Sequence, residues 1–426
     1  MNSTIDALTR RDFIGKTTLT ATALAAGGVL AQAPAIGSGP LKVGLIGCGG
    51  RGSGAIQNFI DAAKILGREV EITGLGDVNL DSALKVATAQ KVDRERCFGG
   101  FDAFQKVIAS GCDFVLDATP PVFRPTHFAA AVAAGKHTFI EKPVSVDPEG
   151  SRSIIATGEI AKTKGLACVT GTQRRHMLGY LKQKAEIDAG AIGPIRGGII
   201  QWNGTVPWVR PRNDGESDAN YMARNWLAFN EVCGDHIVEQ HVHNIDVACW
   251  YLDRLPVTAI GFGARMRRQT GNVFDFFSVD YDFGDDVHIH SQCRQISGCY
   301  NRVGETFTGA TGSAYGGGRT IGKEVEIPEI TVDSNNGMVQ EHVDLIRSVL
   351  DGKPLNHAKR IAEVCTVAIA GRIAAYTGAI VRINDLLGRE DSPFYNLNLN
   401  PKAENFLNGT VVAPEEGIAP VPGEPR

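Results

Sequence analysis

The sequence predicts an α/β half built on a doubly wound parallel sheet, followed by an α+β half whose sheet is largely antiparallel. Three observations carry this. Between Leu41 and Val169 short β-branched runs alternate with helical patterns, the grammar of a parallel sheet with helices on both faces. Beyond Ile195 longer strand-like runs follow one another, as in an antiparallel sheet covered on one side. The chain of 426 residues also exceeds what one hydrophobic core usually serves.

The elements follow in order. Lys42 to Ile46 reads as a strand, Gly54 to Leu66 as a helix, Val70 to Leu75 as a strand and Leu80 to Gln90 as a helix. The alternation continues with a strand at Phe114 to Ala118, a helix at Thr126 to Ala134, a strand at His137 to Ile140, a helix at Pro148 to Lys164 and a strand at Leu166 to Thr170. In the second half, strands are expected at Arg196 to Trp202, Val257 to Arg265, Phe274 to Tyr281 and Val287 to Gln295. One long helix over Gly234 to Leu252 interrupts them, and helices at Met338 to Leu350 and His357 to Thr377 close that domain. From Asp391 onward Pro414, Pro420, Pro422 and Pro425 with little periodicity predict an extended or disordered arm. The expected divisions are 1–35, 36–169, 170–390 and 391–426.

Residues 1–35 have the parts of an export leader. A basic Arg10-Arg11 pair precedes Phe13 and Ile14, a weakly apolar stretch runs from Thr17 to Leu30, and small residues stand at Ala31, Ala33 and Ala35. The paired arginines resemble the signal of the bacterial twin-arginine pathway, which carries folded, cofactor-loaded proteins; that resemblance implies a periplasmic address and the translocation machinery as a transient partner. The stretch is too short and too rich in Thr, Gly and Ala to act as a stable membrane anchor, which takes about 20 strongly apolar residues. Loss of Arg10, Arg11 and Lys16 against Asp6 and Asp12 moves the net charge from −4 to −5, an ordinary acidic surface. No basic patch interleaved with aromatics is present, which argues against nucleic acid as a partner. Nine cysteines, none in a C-x-x-C pair, argue against a disulfide framework.

Gly47-Cys48-Gly49-Gly50-Arg51-Gly52 follows the first strand and opens a helix, the context a dinucleotide fingerprint requires. Gly47 permits the tight turn, Gly49 and Gly50 let backbone approach a pyrophosphate, and Gly52 allows close helix packing. The helix N-terminus supplies partial positive charge for the phosphates. Asp77, after the second strand, is placed to take ribose hydroxyls and repel a 2'-phosphate, so NAD is favoured over NADP. Arg51 is the one residue here suited to a 2'-phosphate.

Further along stand Asp117-Ala118-Thr119-Pro120, the string Ala134-Gly135-Lys136-His137 leading into Glu141-Lys142-Pro143, Ile192-Gly193-Pro194-Ile195-Arg196, and His243-Asn244-Ile245-Asp246. Together with the glycine turn these resemble the glucose-fructose oxidoreductase, inositol dehydrogenase and MocA family over nearly the whole chain after the leader. The resemblance implies a Rossmann-type first domain and a sugar- or polyol-oxidising enzyme that forms a dimer or tetramer. It places Thr119, Pro120, Glu141 and Lys142 at the cofactor, with Lys142 between nicotinamide and sugar, hydrogen-bonding the reacting hydroxyl. The family's D-x-x-x-H run is matched by Glu239-Gln240-His241-Val242-His243, which keeps the histidine and replaces the aspartate. On an unbroken helix residues 239 and 243 share a face. His243 is then the general base and Glu239 orients it or holds a second hydroxyl.

The resemblance also points to the segment Gln173-Arg174-Arg175-His176 for sugar contacts, with Arg175 and His176 the candidates. Asp246 lies on the same helical stripe, and Trp208 is a candidate stacking surface for a pyranose ring. His236, Glu239 and His243 have the ligand chemistry and helical spacing of a metal site as an alternative to catalysis; no metal is expected. An exported dehydrogenase meets no obvious pool of soluble NAD, so the cofactor is expected to be tightly bound and reset by a second carbonyl substrate. A redox-neutral glycosidase or lyase working through a transient keto-sugar uses the same residues. A sugar-binding protein that merely retains NAD is the reading from another class.

Overall fold

The computed structural model describes residues 36–418. The leader predicted over 1–35 and the end of the arm lie outside the described residues. The first sheet has six parallel strands: β1 (Leu41–Ile46), β2 (Val70–Asp77), β3 (Cys97–Gly99), β4 (Phe114–Asp117), β5 (His137–Ile140) and β6 (Cys168–Thr170), in the order 3-2-1-4-5-6. Helices α1 (Gly50–Ile65), α2 (Leu80–Gln90), α3 (Ala103–Ile108), α4 (Arg124–Ala133) and α5 (Pro148–Thr163) connect them. This is the doubly wound topology, and the strand order reverses between β1 and β4. Loops there diverge at the carboxyl ends of the strands and leave a crevice.

After α6 (Leu178–Asp188) comes β7 (Ile195–Gly204), and the chain crosses α7 (Asp218–Arg224), α8 (Asn230–Cys233), α9 (His236–Glu239) and α10 (Val242–Tyr251) before returning to the sheet. That sheet continues through β8 (Thr258–Ala264), β9 (Phe276–Asp282), β10 (His288–Gln295), β11 (Arg302–Gly309), β12 (Ser313–Tyr315), β13 (Thr320–Ile321) and later β14 (Val381–Arg382). The order is 13-12-11-7-10-9-8-14, with β7 and β10 parallel and the other neighbours antiparallel. The α+β half is thus largely antiparallel, as expected, with β11 (Arg302–Gly309) an added strand paired with β7.

Three expectations are corrected. The helix near 338–350, α11 (Gly337–Leu350), does not close the second domain: Val339, Val343 and Ile346 pack with Ile56, Phe59 and Phe139 in the core of the parallel sheet. Its apolar stripe had to be buried, but nothing in the stripe says against which sheet. The last long helix, α12 (Ala358–Thr377), bridges α5 and β8 in the other core. The second difference is the arm. Up to residue 418 it folds back on its own chain: beyond α13 (Asn384–Leu387), which precedes the arm, α14 (Ala403–Leu407) is helical, and Phe406 is buried against Phe101 and Phe123 with ring centroids 5.4 and 4.9 Å away. The third is the helix expected over 234–252, which is broken into α9 and α10 at Gln240 and His241. All nine cysteines are unpaired. Among the described residues no helix is long and apolar enough to cross a membrane.

Candidate active site

A cleft of about 1010 Å³ opens at the strand-order reversal. Its floor is the glycine turn. Gly47 sits at φ +87° with its N–H on the Gly76 carbonyl at 2.8 Å, and a Cβ on Gly52 would lie 1.7 Å from the Gly47 oxygen. Those two glycines are therefore demanded by packing. At Gly49 and Gly50 a Cβ would meet nothing within 4 Å, so their backbone faces open cleft. α1 begins there with no side-chain cap and no acid in its first turn. Its first N–H groups are free for an anion.

Asp77 stands at the end of β2, with Oδ2 accepting the Cys48 N–H at 2.7 Å and Oδ1 the Asn79 N–H at 2.9 Å. Burial pushes its carboxyl up, and the two N–H bonds pull it back. It both holds the turn and lines the cleft. Arg51 is not set beside it: its Nε pairs with Glu141 at 2.9 Å and its Nη1 reaches the Met338 sulfur at 3.0 Å. Glu341 on α11 lies close to this pair, and burial followed by repulsion from Glu141 holds its carboxyl well above the usual range. Thr119 and Pro120 line the opposite side, with the Thr119 hydroxyl donating to Asp117 at 2.6 Å. The groups present fit a dinucleotide: open glycine backbone and an uncapped helix end as donors to phosphate, and a carboxylate at the second strand as acceptor for ribose hydroxyls.

Lys142 extends from the end of β5 to the broken helix. The break matters here. The His241 N–H reaches back to the His236 carbonyl, and the His243 N–H goes to Gln240 at 3.4 Å. The Glu239 carbonyl, which an unbroken helix gives to residue 243, instead accepts Lys142 Nζ at 2.9 Å, and its Oε1 takes a second bond at 3.2 Å. Glu239 Oε2 is buried without a partner among the described residues. Lys142, Glu239 and Gln240 all line the cleft.

His243 is brought close to Lys142 but does not line the cleft. It is buried, with its imidazole 5.7 Å from the Trp202 ring. Burial, then the nearby Lys142 and Arg174 charges, hold it well below the ordinary histidine value, so it is neutral. Glu239 and His243 do not share one face of a continuous helix, contrary to expectation. His236 Nδ1 meets Asp235 at 3.0 Å and His241 Nε2 meets the Ser291 hydroxyl at 2.7 Å. Among the described residues no three His, Cys, Asp or Glu side chains gather as a metal site.

The expected sugar contacts divide. Trp208 lines the cleft, half exposed, with the Arg210 guanidinium 4.6 Å over its ring. Arg175 instead holds Asp246 in a two-point pair at 2.8 Å, and His176 Nδ1 meets Asp344 at 2.5 Å. None of these three lines the cleft, because the turn over Gln173–His176 packs against α11. The sequence reading missed Arg124, Gln240 and, beyond Trp208, the rest of the roof from Arg210 to Leu227. A basic residue opening a helix amid apolar neighbours was the available signal for Arg124; the other two depend on the helix break and on a long loop.

Residues 41–172 match the family model GFO_IDH_MocA, "Oxidoreductase family, NAD-binding Rossmann fold", and residues 180–315 match the GFO/IDH/MocA C-terminal domain, together well over half of the chain. The chain belongs to the GFO/IDH/MocA family. Its NAD-binding Rossmann domain is the half that carries the glycine turn and Lys142. Inositol 2-dehydrogenase from Pseudomonas fluorescens (strain SBW25) is 32% identical over 217 residues, 50% of this chain and 55% of that protein. Inositol 2-dehydrogenase 3 from Saccharopolyspora erythraea is 31% identical over 228 residues, 51% and 56% of the two. The chain thus matches about half the length of these curated relatives. Of solved structures, a levoglucosan dehydrogenase in complex with NADH and levoglucosan superposes with a TM-score of 0.65 at 17% identity, over 80% of this chain and 99% of that one. An aldose-aldose oxidoreductase from Caulobacter crescentus complexed with glycerol gives 0.62 at 16% identity, over 80% and 99%. At such identities the likeness is one of fold.

Proposed function

We propose that this GFO/IDH/MocA protein is an NAD-dependent oxidoreductase acting on a hydroxyl of a sugar, polyol or glycoside. It works as a homo-oligomer, after export through the twin-arginine pathway with its cofactor tightly bound. The observation that carries the reading is Lys142: its ammonium stands in the cleft that holds the open glycine backbone, aimed by the Glu239 carbonyl and carboxylate. When bound, NAD supplies the hydride acceptor. Lys142 then donates to the substrate oxygen and stabilises the negative charge that develops there as the C–H bond breaks. Glu239 fixes the rotamer of Lys142. His243, neutral because it is buried, lies close to Lys142 but outside the cleft lining, so the hydroxyl proton reaches it through Lys142, which gives one of its own protons to the imidazole as it takes the substrate's.

Retention of the cofactor is supported by the roof. The segment from Trp208 to Leu227 lies over the cleft, and the C-terminal segment ties it down: Asp218 accepts the Ala413 N–H at 2.8 Å and Tyr221 donates to Glu416 at 2.8 Å. The leader with paired arginines supports export.

The test is to purify the exported protein, denature it and identify the nucleotide released, then to follow bound NAD on mixing with inositols, aldoses and glycosides. Released NAD and reduction by one of these compounds are expected. Absence of bound nucleotide and of turnover with added NAD would overturn the proposal, and aglycone release without net NADH would mark the redox-neutral reaction instead.

A further inference from the structure

Arg124 is the first residue of α4, with Pro125 behind it. A cation at that end faces the positive pole of the helix dipole and is disfavoured. It is also only 3% exposed, and burying a charge is unfavourable without strong partners. Helix chemistry therefore gives no reason for an arginine here. The cleft does. Nη1 donates to the Pro143 carbonyl at 2.5 Å and Nη2 to the Thr119 carbonyl at 2.5 Å. One carbonyl belongs to the residue after Lys142, the other to the residue before Pro120. Asp117, Glu141 and Glu239 offset the loss of solvent around the guanidinium, and Nε is buried without a partner among the described residues. A planar fork can span two carbonyls from one fixed position, whereas an ammonium is a single point.

We propose that Arg124 is a positioning residue: by clamping the Thr119 and Pro143 carbonyls together it fixes the Lys142 loop against the cofactor floor. The inference rests on the oxidoreductase reading above. Arg124 spends both Nη groups on backbone carbonyls and acts through Lys142. A displacement of about 1 Å in such a group is enough to cost on the order of a hundredfold in rate.

The test compares wild type, Arg124→Lys, Lys142→Ala and the double variant, each carried through thermal unfolding, NADH binding by fluorescence, kcat, and the isotope effect with substrate deuterated at the reacting carbon. Arg124→Lys is expected to fold, to bind NADH within about threefold of wild type, to lose at least about tenfold in kcat and to show a larger isotope effect. In the Lys142→Ala background it should change the residual rate no further. An unchanged kcat, equal losses in binding and turnover, or additive effects in the double variant would each overturn the proposal. If Arg124→Lys does not fold, Arg124→Gln replaces it; failure of both makes Arg124 a structural cation and also overturns the proposal. A wild type inert towards every sugar and polyol removes the oxidoreductase reading itself and this inference with it. That outcome is distinct from an active wild type with an unaffected Arg124→Lys.

Discussion

Gly49 and Gly52 stand three residues apart in one turn and answer to different masters. A Cβ at Gly52 would meet the Gly47 oxygen at 1.7 Å, whereas one at Gly49 would meet no protein atom within 4 Å. Gly52→Ala should therefore lower stability by at least about 2 kcal/mol through overpacking. Gly49→Ala should leave the thermal midpoint nearly unchanged and weaken NAD binding by roughly tenfold, because its methyl would occupy the space of a pyrophosphate. Unfolding and titration of the two variants side by side check this, and equal behaviour would refute the division. Lys142→Ala should lower kcat by about 10²- to 10⁴-fold with NADH affinity largely kept, measured by steady-state kinetics and fluorescence. Gly47, Gly52 and Asp77 were legible from residue type and spacing, and Lys142 from the resemblance of Glu141-Lys142-Pro143 to a family motif. Gln240 was not, because its place in the cleft comes from an interruption of the backbone hydrogen-bond ladder.

At the scale of elements, the break between α9 and α10 is what gives Lys142 a carbonyl partner. Apolar periodicity continues across the break through Ile237, Val238, Val242 and Ile245, all buried, so the sequence reads as one helix. The C-terminal segment misled in the opposite direction. Prolines suggested an unstructured arm, yet Phe406 packs between the Phe101 and Phe123 rings while Glu416 accepts from the Gly271 N–H at 2.7 Å and from Tyr221. The segment thus joins the parallel-sheet wall of the cleft to its roof. Truncation after Leu399 should speed release of bound nucleotide by at least about tenfold, since the roof loses its restraints, with turnover restored by excess NAD. Stopped-flow displacement of NADH measures it; an unchanged release rate would mean that the strap does not gate the cofactor.

For the whole molecule, α11 couples the two halves because it follows the second sheet in the chain but lies in the first core. His342 on this helix is buried against Phe139 at 4.2 Å between ring centroids, and burial brings its value down to about 3. It is neutral in the folded protein, while the unfolded chain binds a proton below about pH 6.5. Its contribution to stability is therefore complete above about pH 6.5 and is lost as pH falls towards the folded value, at up to about 1.4 kcal/mol per pH unit. His342→Gln should flatten the dependence of the urea midpoint on pH between about 7 and 4 by part of that slope; parallel curves would show that His342 does not titrate on unfolding. The two sheet classes and the glycine turn with its carboxylate could be read along the chain, because they rest on local periodicity, backbone conformation and fixed offsets from a strand; the E-K-P lysine came from a family resemblance. Which core takes α11, where the helix breaks under Glu239 and what the C-terminal segment covers became visible only in the folded chain. Those are contacts between residues far apart in the chain, and an apolar stripe or a short aromatic run states that a surface must be buried without naming its partner.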